Sequence, residues 1–246
     1  MKDLIYKKVY KDEPRLMDQI YRLRYEVYVS EFGYVDSKHY PDGLEYDRYD
    51  QQAQHFAAID PDGDVVGAVR LILPGELALP LEEQCPSAYN PKQVCAHVRF
   101  AEMSRLIISK KLRNRGPFIR PCQENRKACE GNNSDVVCRC FAKCIIIGLC
   151  SYVFEESQRL NITHWYALME KKLYLLLALY GFKFNSIGPE INYYGSVFPY
   201  VVSLLEIERS IHNFISRYGC PILEPHVFAK PQRAGWFSFR QSLSRA

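Results

Sequence analysis

Residues 54–73 read QHFAAIDPDGDVVGAVRLIL. Two apolar runs, 54–60 and 65–73, flank Pro61-Asp62-Gly63-Asp64, a group of turn-forming residues. That pattern predicts an antiparallel hairpin. Working outward, HVRFAEMSRLIIS (97–109) is a third long strand, with Glu102, Ser104, Leu106 and Ile108 on one face by alternation. Between them, 74–96 is rich in Pro, Glu and Cys and reads as loop. Upstream, 3–10 alternates well enough for a first strand. Pro14 then opens a helix that runs to about Glu31 and ends at Gly33. Met17, Ile20, Tyr21, Arg24 and Tyr28 recur on one stripe of that helix.

Downstream, Asn133-Ser134-Asp135 can cap a helix over 135–159. A strand over 161–169 and a helix over 170–180 follow, the helix stopping at Gly181. Residues 182–188 read as a short strand and 189–199 as an aromatic loop. The run 200–207 fits either a strand or the start of a helix reaching Arg217. The order βα-ββ-β-αβ-αβ predicts an α/β (α+β) fold, a mixed sheet flanked by helices. The expected division is a core over 1–200 and an extension over 201–246 packed on the same domain.

The 246 residues are 48% hydrophobic and 24% charged, as in a well-cored globular protein. The net charge of +4 is too small for a general nucleic-acid binder. That total conceals an asymmetry. Asp42 to Asp64 holds seven acidic residues against Arg48 alone. Lys110 to Lys127 holds seven basic residues against Glu124 alone. Nine cysteines cannot all pair internally, and MKDLIYKKVYKDEP lacks the apolar core of a signal peptide. Free thiols in a reducing cytoplasm are expected, with no transmembrane segment, since Cys144 to Phe154 is too short to span a bilayer. Cys138, Cys140, Cys144 and Cys150 have no standard zinc spacing, so buried helix thiols are expected and no metal site.

Several polar residues need a reason. Arg24 lies on the inward stripe of its helix, and a buried guanidinium needs an anionic partner. The nearest supply is Glu45, Asp47 and Asp50 in LEYDRYD. Asp47 and Asp50 are three apart and can both face inward from a helical turn. Arg70 sits within the returning hairpin strand, and Glu102 and Arg105 flank Ser104. Two readings stand on these residues alone: ion pairs gluing helix to sheet, or a polar pocket whose charges shift one another's pKa values.

The order of these groups resembles a known family. R-x3-Y (Arg24, Tyr28), Tyr34, D-x2-D (Asp47, Asp50), V-R-L (Val69 to Leu71) and E-x-S-R-L (Glu102 to Leu106) resemble the autoinducer-synthase branch of the GNAT acyltransferases. That branch includes acyl-homoserine-lactone synthases and N-acyl amino acid synthases. The stretches RLRYEVYVSEFGYVD and EMSRLIIS are most similar to bacterial acyltransferases of the PEP-CTERM/exosortase system.

The resemblance implies transfer of a fatty acyl group from a carrier-protein or CoA thioester to an amine, with no resident cofactor. It places Arg24, Asp47, Asp50, Arg70, Glu102 and Arg105 in an electrostatic cluster, and Tyr28 and Tyr34, with Ser104 and Leu106, at the substrates. Lactone synthases usually carry phenylalanine and tryptophan where Tyr28 and Tyr34 stand, which favours an amino acid over S-adenosylmethionine as acceptor. Two departures are visible. Leu112 to Gly116 matches only part of the usual phosphate loop, and Leu177 stands where many acetyltransferases carry a tyrosine acid.

Glu102 is the expected base, and backbone amides near Ser104–Leu106 the expected carbonyl polariser. The apolar faces of 97–109 and 161–169 are expected to form the acyl tunnel. Acyl carrier proteins are acidic, so Lys110, Lys111, Arg113 and Arg115 form the expected dock. The rival readings are a lactone synthase and a non-catalytic GNAT-like module that binds an acyl carrier protein or lipid.

Overall fold

Pro14 has no backbone N–H to leave unsatisfied, and the helix starts there. It runs as α1 (Pro14–Tyr25) and buries Met17, Ile20, Leu23 and Arg24 on one stripe. In the computed structural model, which describes residues 4–88, 97–113 and 134–218, the helix then continues as a single π-helical turn, Glu26–Glu31. The expected helix over 14–31 is therefore present, but its last turn is widened. Such π turns occur often at functional sites.

The strands are β1 (Ile5–Val9), β2 (Ala53–Ile59), β3 (Val65–Ile72), β4 (Phe100–Ile108), β5 (His164–Met169), β6 (Asn185–Ser186), β7 (Ile191–Asn192) and β8 (Ser196–Ser203). They form one sheet in the order β1-β2-β3-β4-β5-β8-β6, with β7 also on β8. Every pairing is antiparallel except β4 with β5. The hairpin of β2 and β3 stands where its turn residues predict.

Alternation on β2 separates the two faces. Phe56 and Ala58 face α4 (Ser134–Arg159), in a core with Ile145, Leu149 and Val153. Ala57 and Ile59 face α1, in a second core with Ile20, Leu23 and Val27. Gly67 on β3 is where α4 comes closest: a Cβ there would lie 2.6 Å from Ile145 Cγ2 and 3.3 Å from the Ile107 carbonyl. The Cys150 thiol is free and fully buried in the α4 core, as expected for a helix thiol. Side chains at 138, 140 and 144 lie outside the described residues.

Several expectations change. Within the expected loop over 74–96, Pro80–Gln84 forms a short helix, α2, started by Pro80. Lys110–Arg113 is helical, α3, so the basic loop begins with a turn of helix. The helix over 170–180 is α5, Lys171–Leu179. The strand over 182–188 shrinks to two residues. The expected aromatic loop over 189–199 is instead the β7–β8 hairpin, whose tip holds Tyr194 and Gly195 at positive φ. Both alternatives for 200–207 occur in succession: β8 ends at Ser203 and α6 (Leu204–Tyr218) starts at Leu204. No helix among the described residues is long and apolar enough to cross a membrane.

Candidate active site

Two local features assemble the charged residues. The first is a 3-10 turn over Arg48–Gln52. Asp47 caps it, accepting from Tyr49 N at 2.9 Å, while the Asp50 carboxylate reaches back to Asp47 N at 2.7 Å. The three-residue spacing therefore does turn both carboxylates inward. The second feature is a bulge in β4. Arg70 stands opposite Ser104, but Ala68 stands opposite Ile107, so β4 holds one residue more than β3 in between. Arg105 takes up the irregularity at φ 52°. The bulge corrects the expected alternation. Glu102 and Ser104 share a face, Arg105 joins them, and Ile108 moves across to the α4 core.

Arg24, Arg70 and Arg105 then close a network with Glu45, Asp47 and Asp50. Arg24 donates to Glu45 through Nε and to both oxygens of Asp50, at 2.8 and 3.3 Å. Arg70 donates to both oxygens of Asp47 (2.6 and 3.0 Å), to Asp50 (2.8 Å) and to Ser104 Oγ (2.9 Å). Arg105 donates to Glu45 Oε1 through Nη2 at 2.9 Å and to Asp47 at 3.1 Å. Three cations face three anions, so the network is neutral and each anion touches two arginines. Burial pushes Glu45 up, but Arg105 and Arg24 outweigh it and hold its pKa at about 2. Burial likewise pushes Asp50 up, and Arg24 and Arg70 hold it well below the usual carboxylate range. Bidentate pairing of this kind fixes geometry as well as charge. His55 packs beside it, its Nε2 3.5 Å from Asp50, and burial lowers its pKa to about 4.

Glu102 stands apart from that network. It is 1% exposed, and its one described hydrogen bond is accepted from Leu81 N, at 2.8 Å, at the start of α2. Burial raises its pKa to about 8, against the lowering effect of the Leu81 bond and of Arg70. A raised carboxyl pKa beside a cleft is a feature that acid–base sites share.

Glu102 opens onto a cleft of about 250 Å³. The cleft exists because β4 and β5 pair over three residues only, Phe100–Glu102 with His164–Tyr166, and then part. Ser104 and Leu106 line one wall and Leu168, Met169 and Leu173 the other. Tyr28 and Tyr34 close one end, their ring centroids 6.0 Å apart. Arg105 lies between Tyr28 and Tyr194, 4.9 and 4.5 Å from the ring centroids. Of the expected dock, Lys110 and Lys111 are exposed beside the cleft. Arg113 is half-buried and bound to Glu31, and its Nε donates to the Ile108 carbonyl at 2.8 Å, so it braces α3 against β4. Arg115 lies outside the described residues.

Residues 23–119 match the family described as the acetyltransferase (GNAT) domain. That segment contains every charged residue expected in the cluster. The overall fold recurs in solved structures. The fold is GNAT-like.

Similar structures include FeeM, an N-acyl amino acid synthase from uncultured soil microbes, with TM-score 0.58 and 13% identity over 89% of this chain and 98% of that one. Another is BjaI, a CoA-dependent acyl-homoserine lactone synthase solved with SAM and isopentyl-CoA, with TM-score 0.58 and 17% identity over 89% of this chain and 91% of that one. A third is TofI in a ternary complex with an inhibitor and MTA, with TM-score 0.60 and 15% identity over 86% of this chain and 97% of that one. No curated protein matches by sequence.

Within this GNAT-like fold, Leu177 is buried in the α4-side core, so no acid stands at that position. Three site residues escape the motif reading. Glu45 is named only as a nearby anion, yet it is fully buried and joins two arginines. Glu170 follows β5 directly and lines the cleft, and Tyr34 donates to it at 2.5 Å. Tyr194 stacks on Arg105 from the hairpin tip, and the Tyr-Tyr-Gly at 193–195 was the available signal for that turn.

Proposed function

We propose that the protein is an N-acyltransferase. It moves a long-chain fatty acyl group from an acyl carrier protein or CoA thioester to the amine of an amino acid or a related small molecule. The observation that carries this reading is Glu102: a buried carboxyl group, titrating at about 8, at the point where β4 parts from β5. Such a group suits aminolysis, which needs a proton acceptor, better than it suits a binding module. The reading also takes the protein to be cytoplasmic and to be one of the acyltransferases associated with the PEP-CTERM/exosortase system, which it resembles.

In the reaction the amine nitrogen forms a bond to the thioester carbonyl carbon, and the carbon–sulfur bond then breaks. Nitrogen loses a proton to Glu102, directly or through one water, and the leaving thiolate takes a proton to become the free thiol. At the bulge of β4, where β5 has moved away, backbone amides near Ser104–Leu106 polarise the carbonyl. The acyl chain lies between Leu106 and the Leu168–Met169 wall. The neutral arginine–carboxylate network holds β3, β4 and α1 in register beneath these groups and does no proton transfer itself.

The test uses purified protein, dodecanoyl-CoA or dodecanoyl-acyl carrier protein, and a pool of amino acids, with a thiol reagent as readout. Thiol release that depends on the amine is expected. Binding of the donor with no release for any amine favours a binding module. Release only with S-adenosylmethionine, with methylthioadenosine formed, marks a lactone synthase.

A further inference from the structure

The charges around the cleft do not cancel completely. Arg24, Arg70 and Arg105 are matched by Glu45, Asp47 and Asp50, and Arg113 by Glu31. Among the described residues, two cleft-lining carboxyl groups, Glu102 and Glu170, have no ion-pair partner, and burial favours the neutral form of Glu102. Glu170 occupies the N-cap position of α5 but makes no capping bond to that helix. Its side chain turns instead to the neutral Tyr34 hydroxyl, 2.5 Å away. Burial and that carboxylate together push the Tyr34 phenol up to about 12, so the phenol stays a donor. A carboxylate in a partly buried cleft, held by a phenol alone, is half of an ion pair.

The other half of a two-point site is on Arg105. Its Nε and Nη2 donate to Glu45 and Asp47. Nη1 donates to no described residue, and Arg105 lines the same cleft. Tyr28 packs against Arg105 and, tilted, against Tyr34, the partner of Glu170, and all four residues line this cleft.

We infer that Glu170 and Arg105 Nη1 together form the acceptor site, and that the acceptor is a zwitterionic α-amino acid. Glu170 takes the ammonium and Arg105 the carboxylate. This rests on the acyl-transfer reading above and narrows its acceptor. An ammonium must shed two protons to become an amide nitrogen. The first leaves to the medium from the ammonium that Glu170 holds, which frees the lone pair. The second leaves the nitrogen after it has bonded to carbon, and passes to Glu102. The expelled thiolate takes one proton from the medium, so the net reaction releases one proton.

The experiment measures thiol release from dodecanoyl-CoA and dodecanoyl-acyl carrier protein with each of the twenty amino acids and with their methyl esters. Varying the acceptor probes Arg105 without disturbing the buried network. The free acid is expected to have a KM lower than its ester by about 10- to 100-fold, as befits a charge-assisted hydrogen bond. Glu170→Gln, which can still accept from Tyr34, is expected to raise the amine KM by about 10- to 100-fold and leave the thioester KM unchanged. Glu170→Asp is expected to recover part of that loss. An ester used as well as its acid overturns the inference, as does a Glu170→Gln enzyme with unchanged amine KM. Wild-type protein that releases no thiol with any amine overturns the acyl-transfer reading itself, and this inference with it.

Discussion

Glu45 is the sharpest test of the buried network. Glu45→Gln keeps the shape of the side chain and removes the charge that Arg24 and Arg105 share. Two independent routes give the magnitude. Removing one partner of a buried ion pair costs about 3–5 kcal/mol, because the other charge stays buried and unmatched. The second route is linkage. Against the cost of burial, Arg105 and Arg24 lower the pKa of Glu45 from 4.5 to about 2 in the folded protein. At ~1.4 kcal/mol per tenfold change in the proton equilibrium, that is about 3 kcal/mol of stability. The sign follows from the depressed folded value. The stabilisation is complete above pH 4.5, where the unfolded carboxylate is also ionised, and is lost as the pH falls toward 2. Urea unfolding of both proteins from pH 7 to pH 3 measures it. The variant is expected to lose about 3 kcal/mol at pH 7, a large share of the ~5–15 kcal/mol typical of a domain, with unchanged m-value. The gap should narrow below pH 4.5. A loss under about 1 kcal/mol, or a gap independent of pH, would refute the paired-network description.

Other consequences follow from the same geometry. With Glu102 raised to about 8 by burial, wild-type activity should climb between pH 6 and 8 relative to Glu102→Gln, whose rate falls by about 10²–10⁴; equal rates for both across pH 6–9 sink the base assignment. Glu102→Gln should also be the more stable protein in urea once the pH exceeds 4.5, because the folded state holds that proton and the unfolded state does not. Gly67→Ala places a methyl 2.6 Å from Ile145 Cγ2 and should cost about 1–3 kcal/mol by thermal unfolding; an unchanged Tm means that α4 sits less closely on β3 than described. Replacing Lys110 and Lys111 together by Glu should raise the KM for acyl carrier protein several-fold at low salt and leave that for acyl-CoA unchanged; loss of neither, or of both equally, argues against a carrier dock.

Much of this was legible in the residues. Two apolar runs around a group of turn formers made the β2–β3 hairpin plain, and the inward Arg24 demanded anions, of which LEYDRYD was the nearest supply. The D-x2-D spacing was compatible with the turn found at Arg48–Gln52. What was hidden depends on tertiary context. Glu102-Met103-Ser104 alternates, and the break in alternation at Ser104-Arg105 hints at an irregularity without fixing a bulge there. The positive φ of Arg105 is sustained by ion pairs to residues sixty positions away. The π turn at Glu26–Glu31 likewise has no glycine or proline to announce it. Glu170 looks like an ordinary residue at a strand–helix junction. Its significance comes from the parting of β4 and β5, a feature of pairing rather than of composition. Pro199 argued for loop over 189–199, yet β8 carries it within the sheet.

Lipids extracted from cells overexpressing the protein, compared by mass spectrometry with those from cells making Glu102→Gln, test acyl transfer to an amine most directly. The account predicts an N-acyl amino acid that is abundant with the wild type and absent with the variant. Identical extracts, or an acylated product that carries no amide nitrogen, would contradict it.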